Sequence, residues 1–447
     1  MSLITDPMHV DPDTASRSVF SVRRGILVLL TSLFILAGAG CDTLTDVDPN
    51  DDTVPADQID NPTSFQARLI GAQADFFFAY DMAVAWQGLY ADELYDPGSA
   101  VEQRRVQPNN GQIGATDEAP EGLDGLWTPM QRATFVNSDL QQDIKAGNFP
   151  DQVPDPENSA QLAQVSLLAG YSKMALADQF CSLAFDGTGP ELTPEQTYGQ
   201  AVDDFTEAID AANAEADVQN AAYVGRARAH LQLGDTDQAL LDAQQVPEGF
   251  AYAPSAYSTN SQREENDIWN MLTDSQRFTV DPRYRTLTID DTGLPDPRVD
   301  VFQDPNDPTG VDGATPQFQD RKYASPTAPI RIASWVEAQY MIAEIEGGQT
   351  AVDIINAVRS AQGIEQAFAS SDPIEIRNKV IDERRRSLFL QGQRMGDLRR
   401  YSRTFENLPV SGRFPDGTAF DIDPPSQYED GVCFPLPDAE RDTNPDI

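Results

Sequence analysis

Cys41 is the residue of this chain whose thiol has the clearest chemical use. The pair Arg23-Arg24 precedes an apolar run, Ile26–Ala37, and the small residues Gly38–Gly40 separate that run from the cysteine. A charged region, a short apolar run and a small-residue cleavage site are typical of a signal peptide. We therefore predict that residues 1–40 are removed and that Cys41 carries a lipid. The alternative is an ordinary secretion signal that ends near a cysteine.

The apolar run is too short to span a membrane, and no later run is longer. A spanning helix needs roughly 20 apolar residues, and no stretch after Ala37 reaches that length. An acidic stretch, Asp42–Asp52, follows the cysteine, and residues 41–62 are predicted to be a lipid-anchored acidic linker. We expect residues 63–447 to form one globular domain tethered by the lipid.

Few thiols and imidazoles remain for other chemistry. Beyond Cys41 the sequence contains only Cys181 and Cys433, and His230 is the only histidine after the signal peptide. In an exported chain the two cysteines form a disulfide or stay as buried free thiols, and both alternatives remain open here. A single histidine argues against zinc sites built on His and Cys and against Ser-His-Asp or Cys-His catalysis.

The charge of the chain is strongly negative. There are 72 Asp and Glu residues against 31 Lys and Arg residues, which gives a formal net charge of −41, and only four of the cations are lysines. This balance argues against a nucleic-acid partner, because binding of a phosphate backbone needs basic patches. It favours an acidic, halophilic protein in concentrated salt, where dense like charges are screened. An acidic surface in ordinary medium is the alternative.

Capping signals predict several helix starts. A capping residue is followed three positions later by Glu or Gln at Thr63/Gln66, Thr193/Gln196, Ser334/Glu337 and Asp372/Glu375. Such pairs satisfy the free amides of a first helical turn. We expect helices to begin near residues 64, 194, 335 and 373, and the last of these to run to about Arg403.

The helices include a repeat-like pair. Within residues 223–243 the small residues Ala227, Gly234, Ala239 and Ala243 lie where a tetratricopeptide-like pair needs close approach. The predicted fold class is mainly α, an α/α superhelix of such pairs with a loop-rich, ligand-facing region. The expected helical core covers about 63–87, 127–246 and 333–403, and the loop-rich segments are 88–126, 247–332 and 404–447.

Five segments together resemble a known family. They are Leu44–Pro49, Trp335–Glu344, Asn356–Ala361, Asp382–Arg400 and Phe434–Pro445. The fourth is similar to a Glu-Arg-Arg-x-Glu-Leu-x-x-Glu-Gly-x-Arg-x-x-Asp-Leu-Arg motif, although Ser387 and Gln391 replace its two internal glutamates. These segments resemble the SusD/RagB-like outer-membrane nutrient-uptake lipoproteins of Bacteroidota-type bacteria.

The resemblance implies a function and a location. It implies a non-catalytic surface protein that binds a glycan or a peptide as nutrient. Its expected partner is a SusC-like TonB-dependent transporter, and a palmitate-type lipid on Cys41 would anchor it in the outer leaflet of the outer membrane.

Glycan capture uses aromatic faces and a few polar side chains. The candidate ligand-binding residues in or near the loop-rich segments are Trp269, Tyr257, Tyr252, Arg277, Asn270, Tyr284, Tyr323 and Tyr90. Each aromatic residue could instead anchor its loop to the core. Trp269 is the first choice, because acids and amides flank it.

Two further patterns could bind charged partners. The arginines from Arg384 to Arg400 are expected to pair with Glu337, Glu344, Asp382 and Asp397 rather than with nucleic acid. A weak calcium candidate gathers oxygen ligands at Asp304, Asn306 and Asp312, and a hydrated acidic turn is its alternative. No other cofactor is expected.

Two other functions remain as alternatives. An exported glycoside hydrolase would use two carboxylates, and the sequence offers many acids. A pure helical-repeat scaffold would need only a protein partner.

Overall fold

Helices form most of the computed structural model of the chain, which describes residues 64–91, 93–96, 121–185, 187–254, 257–259, 265–404 and 433–447. The predicted signal peptide, Cys41 and the linker lie outside the described residues. Within those ranges no helix combines the length and the apolar character that a membrane span requires.

The longer helices divide into an N-terminal and a C-terminal group. The first group is α1 (Phe65–Tyr90), α2 (Glu121–Lys145), α3 (Ala160–Gln179), α4 (Pro194–Asp210), α5 (Ala216–Leu233) and α6 (Thr236–Ala243). Between the groups lie the short helices α7 (Asp267–Trp269), which continues as a π-turn over Asn270–Asp274, and α8 (Pro282–Arg285). The second group is α9 (Trp335–Glu346), α10 (Gly348–Ala361), α11 (Pro373–Ser387), α12 (Arg394–Thr404) and α13 (Asp438–Thr443).

Three of the predicted caps are present, and only one is a complete capping box. At Thr193 the side chain accepts from the Gln196 amide and the Gln196 side chain accepts from the Thr193 amide. Ser334 and Asp372 also cap α9 and α11. The Glu337 carboxylate pairs with Arg228 instead of reaching back to its own cap. Thr63 lies outside the described residues.

Small residues let the helical pairs α3 to α6 approach closely, as the repeat pattern predicted. The ring of Phe205 in α4 lies between Gly170 of α3 and Gly225 of α5. A Cβ atom would come within 2.7 Å of the ring at Gly170 and within 2.5 Å at Gly225. Ala227, Ala239 and Ala243 are fully buried, and Gly234 ends α5 in a left-handed conformation with φ of 81°.

Gly225→Ala should therefore destabilise the protein. The added methyl group collides with the Phe205 ring, which Gly170 blocks on its other side, so the ring cannot move away. We expect a loss of about 1–3 kcal/mol in the free energy of unfolding, measured by urea denaturation. Gly71→Ala in α1, where a Cβ meets no atom within 4 Å, is the control and should not lose stability. Equal stability of both variants would contradict this close approach.

A disulfide joins the C-terminal segment to the end of α3. Cys181 and Cys433, the pair left open by the sequence, are bonded, with a Cα–Cα distance of 5.1 Å. Beside it the Cys181 amide donates to the Phe434 carbonyl at 2.8 Å, and the Phe434 amide donates to the Gln179 carbonyl at 2.6 Å. The link spans 252 residues of sequence, so it restricts the unfolded chain strongly.

Short antiparallel pairs hold the loop-rich segment to the helices. Strand β1 (Leu94–Tyr95) pairs with β3 (Thr279–Val280), with Leu94 opposite Val280. Strand β2 (Ala251–Tyr252) pairs with β6 (Ala333–Ser334), and β4 (Val301–Phe302) pairs with β5 (Gln319–Asp320). Each pair is two residues long, so side-chain contacts must fix the loops between them.

The C-terminal arginines are buried ion-pair residues. Arg384 is 1% exposed, and its Nε donates to Asp397 at 2.7 Å. Arg400 pairs with Glu344 at 2.7 Å and with Asp397 at 2.8 Å, and Arg228 binds both oxygens of Glu337, which is 1% exposed. The expected pairing with acids of neighbouring helices is confirmed for Arg384 and Arg400. Arg385 and Arg386 pair with Asp382 of their own helix instead.

The pairing keeps the buried Asp397 carboxyl group ionised. Burial alone would raise the pKa of Asp397, but Arg384 and Arg400 outweigh it and lower the pKa to about 2. A carboxyl group with a depressed folded-state pKa contributes stability above its unfolded value, and that stability is lost as the pH falls towards the folded value.

Arg384→Gln should be strongly destabilising. It leaves Asp397 with one fewer cation in a fully buried site, and breaking a buried pair costs about 3–5 kcal/mol. Arg321→Gln is the control, because Arg321 and Asp300 form a pair whose side chains are 53% and 52% exposed. Exposed pairs contribute about 0–1 kcal/mol. Urea denaturation at neutral pH compares the two, and similar losses would show that burial of the network does not matter.

Candidate ligand-binding cavity

The long C-terminal helix expected from Pro373 to Arg403 is broken, and the break shapes a cavity. Helix α11 ends at Ser387 and α12 begins at Arg394. Between them Leu390 and Gly392 have left-handed backbones, with φ of 53° and 85°. The prediction of one continuous helix is therefore wrong. Leu390 pays a steric cost because it has a Cβ atom.

Three side chains hold the break by binding consecutive carbonyl groups. Lys322 Nζ donates to the Phe389 oxygen at 2.6 Å, and the Tyr323 hydroxyl donates to the Leu390 oxygen at 2.6 Å. The Tyr80 hydroxyl of α1 donates to the Gln391 oxygen at 3.1 Å. Because three donors from two parts of the chain fix adjacent peptides, the strained conformation at Leu390 is over-determined.

The cavity beside this break has a volume of about 560 Å³. This size falls within the range of about 300–1,000 Å³ that is usual for small-ligand sites. Its lining residues are Ala253, Pro297, Arg298, Asp300, Arg321, Lys322, Tyr323, Pro329, Arg331, Gln362, Ser387 and Gln391. Most of them come from the loop-rich segment 247–332, and the helical core supplies the remaining wall.

Two of the arginines in the lining have carboxylate partners. Arg298 binds both oxygens of Asp296 at 2.9 and 2.7 Å, and its Nη1 reaches Glu383 at 2.5 Å. Arg321 donates to Asp300 at 2.7 Å, and both residues line the cavity. These pairs neutralise the two guanidinium groups and fix the walls to α11 and β5.

Within the described residues, Lys322 and Arg331 have no carboxylate partner that neutralises their charge in an ion pair. The Lys322 ammonium group turns inward to the Phe389 carbonyl although the residue as a whole is exposed, and burial lowers its pKa. The Arg331 guanidinium nearby lowers that pKa further, against the opposing effect of Asp320. Within the described part of the chain, Arg331 itself has no hydrogen-bond or ion-pair partner, and its Nε atom is buried.

Neutral polar groups complete the wall. Ser387 Oγ donates to Gln362 Oε1 at 3.0 Å, and Gln391 Nε2 donates to the Ser387 carbonyl at 3.0 Å. Ser387 and Gln391 are the two positions at which the sequence departs from the glutamates of the SusD/RagB-like motif. Both departures therefore lie in this cavity, where they leave a hydroxyl and an amide beside the cations.

The structure places the predicted ligand-binding residues in different parts of the fold. Only Tyr323 lines the cavity, through a ring that is 2% exposed. Tyr284 is 1% exposed and stacks on Phe389 at 4.5 Å, and Tyr252 is 8% exposed within the β2–β6 pair. Neither offers a free face for stacking on a sugar, so the ligand-contact prediction for these two residues is corrected to a core role.

Trp269, Tyr257 and Asn270 lie in a different place. Trp269 is half-buried against the core at the end of α7, and Asn270 opens the π-turn after it. The Tyr257 hydroxyl donates to the Phe77 carbonyl at 3.3 Å. Arg277 is exposed, and the side chain of Tyr90 lies outside the described residues. The ligand contacts of these residues stay predictions.

The basic residues of the cavity were not among the ligand-binding residues predicted from the sequence. Arg321, Lys322 and Arg331 stand in the loop-rich segment, and Lys322 is one of only four lysines in the chain. A cation run in a lysine-poor acidic loop was the available signal. The predicted ligand-binding residues are mostly aromatic instead.

The proposed calcium ligands are engaged in their own turns. Asp304 Oδ1 accepts from the Asn306 amide at 2.8 Å, and Asp312 Oδ1 accepts from Ala314 and Thr315 at 3.0 and 2.9 Å. Among the described residues no group of three His, Cys, Asp or Glu side chains could hold a metal ion. Calcium binding stays a prediction.

Two carboxyl groups with raised pKa values lie near α7. Asp81 of α1 is 1% exposed and accepts from the amides of Met82 at 2.7 Å and Asp267 at 3.0 Å, so it ties α7 to α1. Burial raises its pKa well above the usual value, and the Asp267 charge adds to the rise. Burial, with Glu265, raises the pKa of Asp267 to about 6.

Comparison with known proteins supports the fold and finds a family match over part of the chain. Residues 310–447 match the model of the SusD family. This region contains β5, most of the cavity lining and all of the helices from α9 to α13. No curated protein sequence matches the chain.

The described fold is that of solved SusD superfamily structures. One from Parabacteroides distasonis aligns with a TM-score of 0.64 at 13% identity, over 86% of this chain and 98% of that one. A SusD-like carbohydrate-binding protein from Bacteroides vulgatus aligns with a TM-score of 0.62 at 15% identity, over 87% and 97%. A further SusD superfamily protein from Bacteroides vulgatus aligns with a TM-score of 0.63 at 14% identity, over 86% and 97%.

The family resemblance and the mainly helical fold class are therefore confirmed. The C-terminal third carries SusD-family sequence, and the protein has the SusD fold, with tetratricopeptide-like helical pairs beside a loop-rich part.

Asp267→Asn should stabilise the protein at neutral pH. A carboxyl group with a raised folded-state pKa is protonated more readily in the folded protein, so ionisation costs stability as the pH rises from about 4 to about 6. The amide carries no such cost. We expect a gain of about 1–2 kcal/mol at pH 7, after allowance for solvent screening, that disappears near pH 4. Thermal melts at both pH values measure it. A gain of equal size at both would exclude ionisation of Asp267 as the cause.

Proposed function

We propose that the protein is a non-catalytic cell-surface lipoprotein that binds a nutrient glycan. It delivers that glycan to a SusC-like TonB-dependent transporter in the outer membrane. The observation that carries the proposal is the cavity of about 560 Å³, built by the loop-rich segment on a SusD fold.

The arrangement of the chain suits reversible capture. The helical pairs and the disulfide between Cys181 and Cys433 form a rigid support, and loops on such a support commonly carry binding residues. The walls of the cavity are fixed before a ligand arrives, because Arg298, Lys322 and Tyr323 are already hydrogen-bonded. A preformed site loses less conformational entropy on binding.

Export and lipid attachment fit this role. The signal-peptide pattern and Cys41 would place the domain outside the cell, joined to the lipid by the acidic segment 42–62. A disulfide is stable in that oxidising setting.

The composition of the cavity favours binding over hydrolysis. Glycosidases use two carboxyl groups, about 5–10 Å apart. The residues known to line this cavity include one carboxylate, Asp300, and Arg321 already occupies it. A scaffold without a ligand would not require a polar cavity of this size.

A binding and cleavage test on the same sample separates these functions. The purified chain, without its signal peptide, is run through native gels that contain single polysaccharides, and each polysaccharide is then assayed for new reducing ends. We expect retardation by at least one glycan with no release of reducing ends. Release of reducing ends would establish a hydrolase, and free migration with every glycan would reject the receptor.

The Trp269→Ala variant tests the first residue named from sequence. If Trp269 stacks on the ligand, its loss should weaken retardation about tenfold or more. Unchanged retardation would show that Trp269 does not contact the ligand. The cavity would then remain the proposed binding site.

A further inference from the structure

We propose that the cavity beside the helix break binds an acidic sugar unit, a hexuronate, with Arg331 as the residue that pairs with its carboxylate. This inference rests on the proposed glycan-binding function and narrows its ligand to glycans that contain uronic acids.

The first observation is the state of Arg331. Arginine is rarely left without a partner when its guanidinium group is partly buried, because desolvation of a charge is costly. In the described structure the other buried arginines of the C-terminal network have carboxylate or carbonyl partners. Arg331, which has none, faces the cavity with a buried Nε atom. Its planar group is suited to receive a carboxylate with two parallel hydrogen bonds.

The second observation is the charge of the surrounding wall. Among the described residues, the lining holds four cationic side chains and one carboxylate, in a chain whose net charge is −41. Arg298 and Arg321 are neutralised by acids, whereas the Lys322 ammonium group donates to the neutral Phe389 carbonyl oxygen and lies over the Phe389 ring. An anion bound at Arg331 would therefore also lie in the favourable field of Lys322.

The third observation is the neutral polar rim at Gln362, Ser387 and Gln391. An amide and a hydroxyl can donate to or accept from sugar hydroxyl groups without repelling a carboxylate. Glutamates at Ser387 and Gln391, as in the SusD/RagB-like motif, would add two negative charges to this lining. The cavity is also larger than a simple inorganic anion requires, which favours an anionic group on a sugar ring.

The setting favours such a contact in concentrated salt. Exposed charges more than about 3 Å apart are screened at 1 M salt, whereas partly buried pairs are screened much less. A cation inside a cavity keeps its attraction for a carboxylate where the exposed acidic surface exerts little long-range repulsion.

The test measures binding of defined oligosaccharides to the full chain without its signal peptide. Isothermal titration calorimetry compares trigalacturonate and a glucuronate-containing trisaccharide with the neutral galactose and glucose trisaccharides, and with an acidic tripeptide. We expect at least one uronate ligand to bind about tenfold or more tightly than its neutral counterpart. Arg331→Gln should remove that preference, a loss of about tenfold or more in affinity for the uronate.

Two further variants are compared with Arg331→Gln, one that adds a negative charge to the lining and one that serves as a charge-matched control. Gln362→Glu retains the acceptor for Ser387 and adds a negative charge to the rim, so it should also weaken uronate binding. Arg132→Gln in α2 changes the net charge as Arg331→Gln does, but the Arg132 side chain is 67% exposed and is not among the lining residues, so this variant should bind as the parent does. Circular dichroism and thermal melts confirm that each variant folds.

Each outcome decides the question. Equal binding of uronate and neutral glycans, preference for the tripeptide, or uronate binding that survives Arg331→Gln would overturn the hexuronate site. If neutral polysaccharides retard the protein but no uronate binds preferentially, the proposed function stands and this inference fails. If no glycan of any kind binds, both fail together.

Discussion

Burial of arginine–carboxylate pairs is the interaction on which the C-terminal half of this protein depends. Arg384, Asp397 and Arg400 join α11, α12 and α9 through contacts that exclude water. Arg228 extends the same network to α5 through Glu337. Buried charges of this kind contribute little unless every partner is present, and the removal of one leaves the others uncompensated. The network therefore makes the relative positions of these helices very specific.

That specificity allows a strained turn inside the family motif. The break at Leu390 and Gly392 would be unfavourable in an isolated helix, but α11 and α12 are each held by ion pairs on either side of it. Lys322, Tyr323 and Tyr80 then bind the three carbonyl groups that the break exposes. The loop-rich segment is attached to the helical core at this point, and the cavity lies along the line of attachment. The ion pairs and hydrogen bonds around the break therefore stabilise the core and also set the shape of the cavity.

The sequence predicts the helical architecture well because its signals are local. Thr193, Ser334 and Asp372 cap the helices that they were expected to cap, and the small residues Ala227, Ala239 and Ala243 are buried at helix contacts. The single helix expected from Pro373 to Arg403 was wrong, because its break is imposed by side chains from distant segments. Gly392 is a local signal of a helix end within Leu388–Gln393, but an isolated glycine is also tolerated inside a helix, so it does not by itself separate the two helices.

The site was harder to predict, for a related reason. Tyr252 and Tyr284 have aromatic rings of the kind that stack on sugars, yet in this fold their rings are buried in the core. Whether an aromatic ring faces solvent depends on the path of a loop, which periodicity does not define. Arg331 and Lys322 gain their interest only when the structure shows which of the cations are already paired. Charge compensation is a property of the folded arrangement, and composition alone hides it.

Hydrogen exchange followed by mass spectrometry, with and without a bound glycan, tests the central claim most directly. The account predicts that a ligand found by gel retardation slows exchange in peptides that cover 297–300, 321–331 and 387–391, because these segments form the walls of the cavity. Peptides from α2 and α4 should exchange at unchanged rates. Protection confined to other surfaces, with no change in those three segments, would contradict the assignment of the cavity as the binding site.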